Sequence, residues 1–191
     1  MITRVPAVLL FCCIAVLPAT ARAQERGQAG VVMGYPTTFA FIWHASDRLA
    51  IRPEVSFVHT SSESENSILG DVFRSSSNDS WNATVGASAL WYFRGADRVR
   101  PYFSPRVAFA HNSSDSSTND EDPQTSNTLS ASGSFGAQYT PVRKLAVYGE
   151  LGYGFSRGWS EFRSQIATSK NTGWAWSPRG AVGVIFYFGR S

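Results

Sequence analysis

Two residues of this chain have the types and spacing for hydrolysis. His111 and Ser113 flank Asn112 and set an imidazole two positions from a hydroxyl. An imidazole in reach of a serine takes its proton, and a carboxylate can hold the imidazole in place. In an extended segment, residues two apart share a face. However, His59-Thr60-Ser61 repeats the spacing, and in a chain this rich in serine the match is unspecific. No glutamate is placed to complete the set, so His111 and Ser113 are weak catalytic candidates. The acidic run from Asp115 to Asp122 could offer oxygen ligands to calcium. It lacks the glycine and the closing glutamate that a calcium loop uses at its sixth and twelfth positions, and it reads as a solvated acidic loop. There is no phosphate-cradling glycine loop, no Cys/His cluster and no pair of catalytic carboxylates. The expectation is a non-enzyme with no metal and no cofactor.

The segments that would position these residues all have a period of two. From Trp174 to Phe188, one alternate set is Trp174, Trp176, Pro178, Gly180, Val182, Val184, Phe186 and Phe188. The other set is smaller and mixed, and carries Arg179. Such a stretch is a strand with two unlike faces. The same alternation runs through Leu49–Thr60, Trp81–Phe93, Val99–His111, Thr128–Thr140 and Leu145–Ser156. Ala29 to Trp43 is interrupted by Pro36, which cannot donate to a ladder. It reads as two short strands with a turn at Pro36-Thr37-Thr38, or as one bent strand. Short turns at Ala45–Arg48, Arg94–Arg98 and Pro141–Lys144 alternate with long polar stretches at Ser61–Ser80, Asn112–Asn127 and Arg157–Asn171, which read as loops.

Short and long connections in alternation characterise transmembrane barrels, with short periplasmic turns and long extracellular loops. Roughly ten tilted residues cross a bilayer, and a sheet in lipid must close on itself. Splitting the first region gives eight strands, an even number, with both termini on one side. The fold class expected is therefore all-β, an eight-stranded antiparallel up-and-down transmembrane β-barrel. Trp43, Trp81, Trp91, Tyr153, Trp174, Trp176 and Phe188 fall on the apolar faces as membrane-interface aromatics. Arg52, Glu54, Arg100, Tyr102, Arg106, Glu150 and Arg179 fall on the opposite faces, where they form a barrel-interior polar network. Four arginines against two glutamates leave a positive excess. Eight strands leave room for side chains to fill the bore, so the network plugs the barrel rather than lining a pore.

The N-terminus bounds the setting. A basic start, an apolar run from Val5 to Leu17 and Ala21-Arg22-Ala23 make a secretory signal peptide, residues 1–23, with the barrel domain at 24–191. Both cysteines, Cys12 and Cys13, fall in the signal. Arg4 and Arg22 go with it, and the formal charge falls from +3 to +1. The basic pI is then no argument for binding nucleic acid. The partners expected are outer-membrane lipids and lipopolysaccharide, and the barrel-assembly machinery during biogenesis. The protein is expected to be a monomer in the cell outer membrane.

Gly34-Tyr35-Pro36, Trp43-His44, Asp47-Arg48, Arg52-Pro53-Glu54, Arg100-Pro101-Tyr102, Pro105-Arg106, Gly149–Tyr153 and the closing Gly183–Phe188 together resemble the small OmpA/OmpX-like outer-membrane β-barrel proteins. The resemblance covers essentially the whole mature chain. It implies no shared activity, since such proteins include adhesins, membrane stabilisers and a few lipid-modifying enzymes; the Ser/Asn-rich outer loops point to an envelope-structural or surface-binding role. Two alternatives are a narrow porin for small solutes and a lipid-directed hydrolase. The outer-membrane lipid A deacylases carry a His-x-Ser pair in a similar place, but Ser114 stands here where they have an asparagine. Gly189-Arg190-Ser191 follows Phe188, whereas relatives end on the aromatic; this bears on assembly rather than on the fold.

Overall fold

The computed structural model describes residues 26–36, 38–68, 72–95, 98–116, 124–163 and 168–188. The expected signal peptide lies outside them, as does most of the acidic run that ends at Asp122. Eight strands follow one another: β1 Ala29–Tyr35, β2 Thr38–Ser46, β3 Leu49–Ile68, β4 Val72–Tyr92, β5 Val99–Ser116, β6 Gln124–Val142, β7 Leu145–Arg163 and β8 Thr168–Phe188. Each pairs antiparallel with the next, and β1 pairs with β8 to close the barrel. Ala29 stands opposite both Trp43 on β2 and Phe188 on β8. The first region is thus two strands, and the Thr38 hydroxyl ties the turn by donating to the Pro36 carbonyl at 2.7 Å. The three short turns and both strand termini lie at one end, called here the turn end. The connections β1–β2, β3–β4, β5–β6 and β7–β8 lie at the other, the hairpin end.

The serine-rich stretches are largely strand. β3 and β4 stay paired from Leu49↔Trp91 out to Ile68↔Val72, through the segment that composition marks as a loop. β7 and β8 likewise pair out to Arg163↔Thr168. Ser, Thr and Asn carry no contrast of hydropathy, so their alternation leaves no period to detect. Two strands already joined in register need only backbone hydrogen bonds to continue. The long outer connections are therefore tall two-stranded walls.

The alternation seen in the sequence is the alternation of inside and outside. Val85, Val107, Leu129, Phe135, Leu151 and Val182 point outward and are more than half exposed. Between them, Ser88, Ala108, Ser104, Ser134, Glu150 and Tyr148 point inward and are buried. An exposed apolar surface of this extent does not persist in water on a monomer; it forms the band of a transmembrane barrel. Trp43, Trp91 and Phe188 end the band at the turn end, and all three are about half exposed. Toward the hairpin end stand Trp81, Tyr153, Trp174 and Trp176, with Tyr153 stacked on Trp176 at 6.2 Å between centroids.

The interior is not polar throughout. At the turn end, Val32, Ile42, Ala50, Leu90, Ala146 and Ile185 form a buried apolar layer with Tyr92 and Tyr187. Glycines make room for the large rings above it. A Cβ at Gly136 would stand 2.7 Å from Tyr102 Cζ, and one at Gly183 would stand 2.7 Å from Tyr148 Cε1. Such overpacking costs about 1–3 kcal/mol. Gly136→Val is expected to lower the urea midpoint of the micelle-folded barrel by a corresponding amount, while Ala137→Val, next along β6 and outward-facing, leaves it near wild type. Equal midpoints for the two variants would contradict this packing.

Candidate functional site: the ionic plug and the aromatic rim

Above the apolar layer, two ion pairs cross the bore. Arg52 on β3 meets Glu150 on β7, with Nη1 and Oε1 2.7 Å apart and both side chains nearly inaccessible. Its Nε donates to Ser88 Oγ at 3.0 Å, and its guanidinium lies 5.3 Å from the centroid of the Tyr148 ring. The Tyr102 hydroxyl donates to the same Glu150 oxygen at 2.9 Å. Arg106 on β5 is paired with Glu54 on β3. Each carboxylate thus has an arginine, and the strands that supply the partners are not sequence neighbours. A buried charge needs this: left unpaired, it would lose its hydration for nothing.

A second, neutral network sits below. Tyr92 Oη donates to Gln138 Oε1 at 2.8 Å, and Gln138 Nε2 donates to Tyr187 Oη at 3.0 Å. His44, fully buried, places Nε2 3.3 Å from the same Tyr187 hydroxyl and stacks on Tyr92 at 5.5 Å. The two networks and the apolar layer together fill the bore from the turn end upward.

The expected site residues fall in three places. Arg52, Glu54, Tyr102, Arg106 and Glu150 meet in the plug. Arg179 faces inward on β8 above it, half-buried, and its Nε has no hydrogen-bond partner among the described residues. Arg100 meets the interior at the turn end, where it lies over the Tyr92 ring at 4.5 Å and donates to the Asp47 carbonyl. His44, Gln138 and Tyr187 belong to the interior as well; the alternation places Gln138 and Tyr187 on inward faces, and His44 alone is missed. Gln138 on β6, for example, stands opposite Arg100 on β5 and shares its inward face.

His111 sits on the outer face of β5. Its Nδ1 is hydrogen-bonded to Asn127 Oδ1 at 2.7 Å and its ring leans on Trp81 at 5.0 Å. This places His111 in the aromatic rim. Ser113 is next but one on the same face of β5, and the His111 ring engages asparagine and indole rather than a serine and a carboxylate. Among the described residues no group of His, Cys, Asp or Glu could hold a metal ion.

No protein-family model matches the chain, and no curated protein matches it. Solved structures do resemble it. The N-terminal β-barrel domain of Pseudomonas aeruginosa OprF is 12% identical with a TM-score of 0.50, over 86% of this chain and 100% of that one. A major outer membrane protein from Thermus thermophilus is 17% identical at a TM-score of 0.49, over 84% and 98%. Ail, the attachment invasion locus protein of Yersinia pestis, is 14% identical at 0.43, over 86% and 100%. At these identities the first likeness shows the fold. The chain has an eight-stranded up-and-down β-barrel fold like that of the OprF domain.

Truncating one member of a buried ion pair costs about 3–5 kcal/mol, whereas replacing both by apolar groups of similar volume is often neutral. Glu150→Ala is expected to destabilise the micelle-folded barrel by about that much in urea unfolding. The double variant Arg52→Met/Glu150→Leu should recover most of the loss. Additive losses in the double variant would contradict the pairing.

Proposed function

We propose that this protein is an exported outer-membrane barrel, non-enzymatic and sealed, that serves the envelope as a structural element or makes surface contacts through its hairpin end. The observation that carries the reading is the filled bore. Arg52–Glu150, Arg106–Glu54, the Tyr92–Gln138–Tyr187 chain and the apolar layer all occupy the bore. The signal peptide expected from residues 1–23, the girdles and the barrel fold support export to an outer membrane. The tall walls of β3–β8 then face the outside, rich in Ser, Thr and Asn, and loops and hairpins on a rigid scaffold are where recognition resides. Lipids and lipopolysaccharide surround the band, the barrel-assembly machinery inserts it, and it acts as a monomer.

Planar-bilayer recording of the folded protein tests the seal. A silent bilayer is expected for the wild type. Stable ohmic steps from wild-type protein would favour a narrow porin and overturn the reading.

A further inference from the structure

The wall of this barrel is not of even height. β1 and β2 have 7 and 9 residues, whereas β3 to β8 have 18 to 21. The last rung between β1 and β8 is Tyr35↔Val182, and the last toward the hairpin end between β2 and β3 is Phe39↔Val55. Beyond these rungs, among the described residues, β8 and β3 have no ladder on the sides that face each other. A notch is cut in the wall above the β1–β2 turn.

The notch opens at membrane depth. Seven residues at ~3.3 Å each and a tilt of ~40° rise about 18 Å along the axis. The apolar band of such barrels is ~25 Å tall. The rim aromatics of β8, Trp174 and Trp176, lie beyond the last rung. Free strand edges are not tolerated in hydrocarbon unless they border a water-filled cavity or are covered. Here they border the upper bore, whose inward residues are small and polar, such as Ser132, Ser156 and Ser177.

Two features meet at the notch. On the inside is Arg179, on the free-edged stretch of β8, with its Nε buried and unpartnered among the described residues. The two glutamates of the plug are held by Arg52 and Arg106. On the outside, starting at the same last rung, is an apolar groove of about 680 Å³ bordered by Tyr35, Phe135, Gly149, Leu151, Gly180 and Val182. That volume is in the range of small-ligand sites. Gly180 is the chain neighbour of Arg179 and faces the opposite way. The groove therefore meets the rung where the free edge of β8 begins and reaches Gly180, one residue along the chain from Arg179. A strand added to the edge is disfavoured by Pro178, which offers no N–H to a ladder.

We propose that the notch is a lateral binding site for a phosphate-bearing lipid of the surrounding leaflet. Its acyl chain lies in the Gly149–Gly180 groove and its phosphate is held by Arg179 from inside the wall. Arginine suits a phosphate because its planar fork of donors matches two of the oxygens. The proposal rests on the transmembrane reading of the barrel and goes beyond the structural role proposed for it.

The test uses the full barrel folded in a non-ionic detergent and shown to be folded by heat modifiability on a gel. Native mass spectrometry then counts retained lipid after addition of phosphatidylglycerol, of phosphate-free diacylglycerol with the same acyl chains, or of inorganic phosphate. Wild-type protein is expected to retain one phosphatidylglycerol, at concentrations where diacylglycerol is retained at least tenfold less. Arg179→Gln should lower that retention about tenfold. Gly180→Leu should do the same from the other side, since a Cβ at Gly180 meets only ordinary contacts, the nearest at 3.5 Å. Excess inorganic phosphate should not displace the lipid. Equal retention by wild type and both variants, equal retention of the two lipids, or displacement by free phosphate would overturn the proposal. A barrel that fails to fold in detergent at all would instead count against the transmembrane reading.

Discussion

Every peptide group in hydrocarbon has to find its partner within the protein, because nothing else there can hydrogen-bond it. This one requirement organises the molecule. It forces the sheet to close, and β1 returns to β8 through a run of rungs from Ala29↔Phe188 to Tyr35↔Val182. Closure divides each strand into a face for lipid and a face for the bore. It also fixes the register, since a slip of one residue would turn Arg52 and Glu150 into the membrane. The apolar belt, the girdles and the buried charges are consequences of that division.

The bore then poses the opposite problem. At eight strands it is too narrow to be left to water and must be filled by side chains. The filling is layered. Aliphatic residues, tyrosines and Gln138 together fill the turn end, and the ion pairs complete the plug above them. Where a large ring enters, a glycine faces it, as Gly136 does Tyr102. The charges therefore contribute mainly specificity of arrangement, because each carboxylate is satisfied only if β3, β5 and β7 take their observed places. Above the plug the inward residues become small and the wall falls at β1–β2. There the closure requirement is relaxed, and there Arg179 remains with an unpartnered nitrogen among the described residues.

The strands are legible in the sequence because their two faces differ in chemistry. Trp81–Phe93 alternates large apolar residues with small or polar ones, and β4 contains nearly all of that stretch. The outward extensions are not legible. Ser61–Ser80 has little hydropathy contrast, so the ladder from Thr60↔Ser80 to Ile68↔Val72 looks like loop in composition alone. The inward set of charges follows from parity, but its pairing does not. Arg52 finds Glu150 across the bore, and that choice depends on closure and stagger, which no local pattern encodes. Arg100 shares the parity of the plug yet lies at the turn end, because depth along the axis is set by where its strand begins. His44 is hidden for a related reason: it continues an apolar run, and only the fold shows that it faces Tyr92 and Tyr187.

The central claim is that the exposed apolar face of every strand touches lipid and the other face does not. Photoactivation of a diazirine-bearing phospholipid around the reconstituted wild-type barrel, with insertion sites mapped by mass spectrometry, tests it directly. The account predicts labels at Val85, Ala87, Trp91, Phe135 and Leu151, and none at Arg52, Tyr102, Gln138 or Glu150. Labels spread evenly over both sets would contradict it.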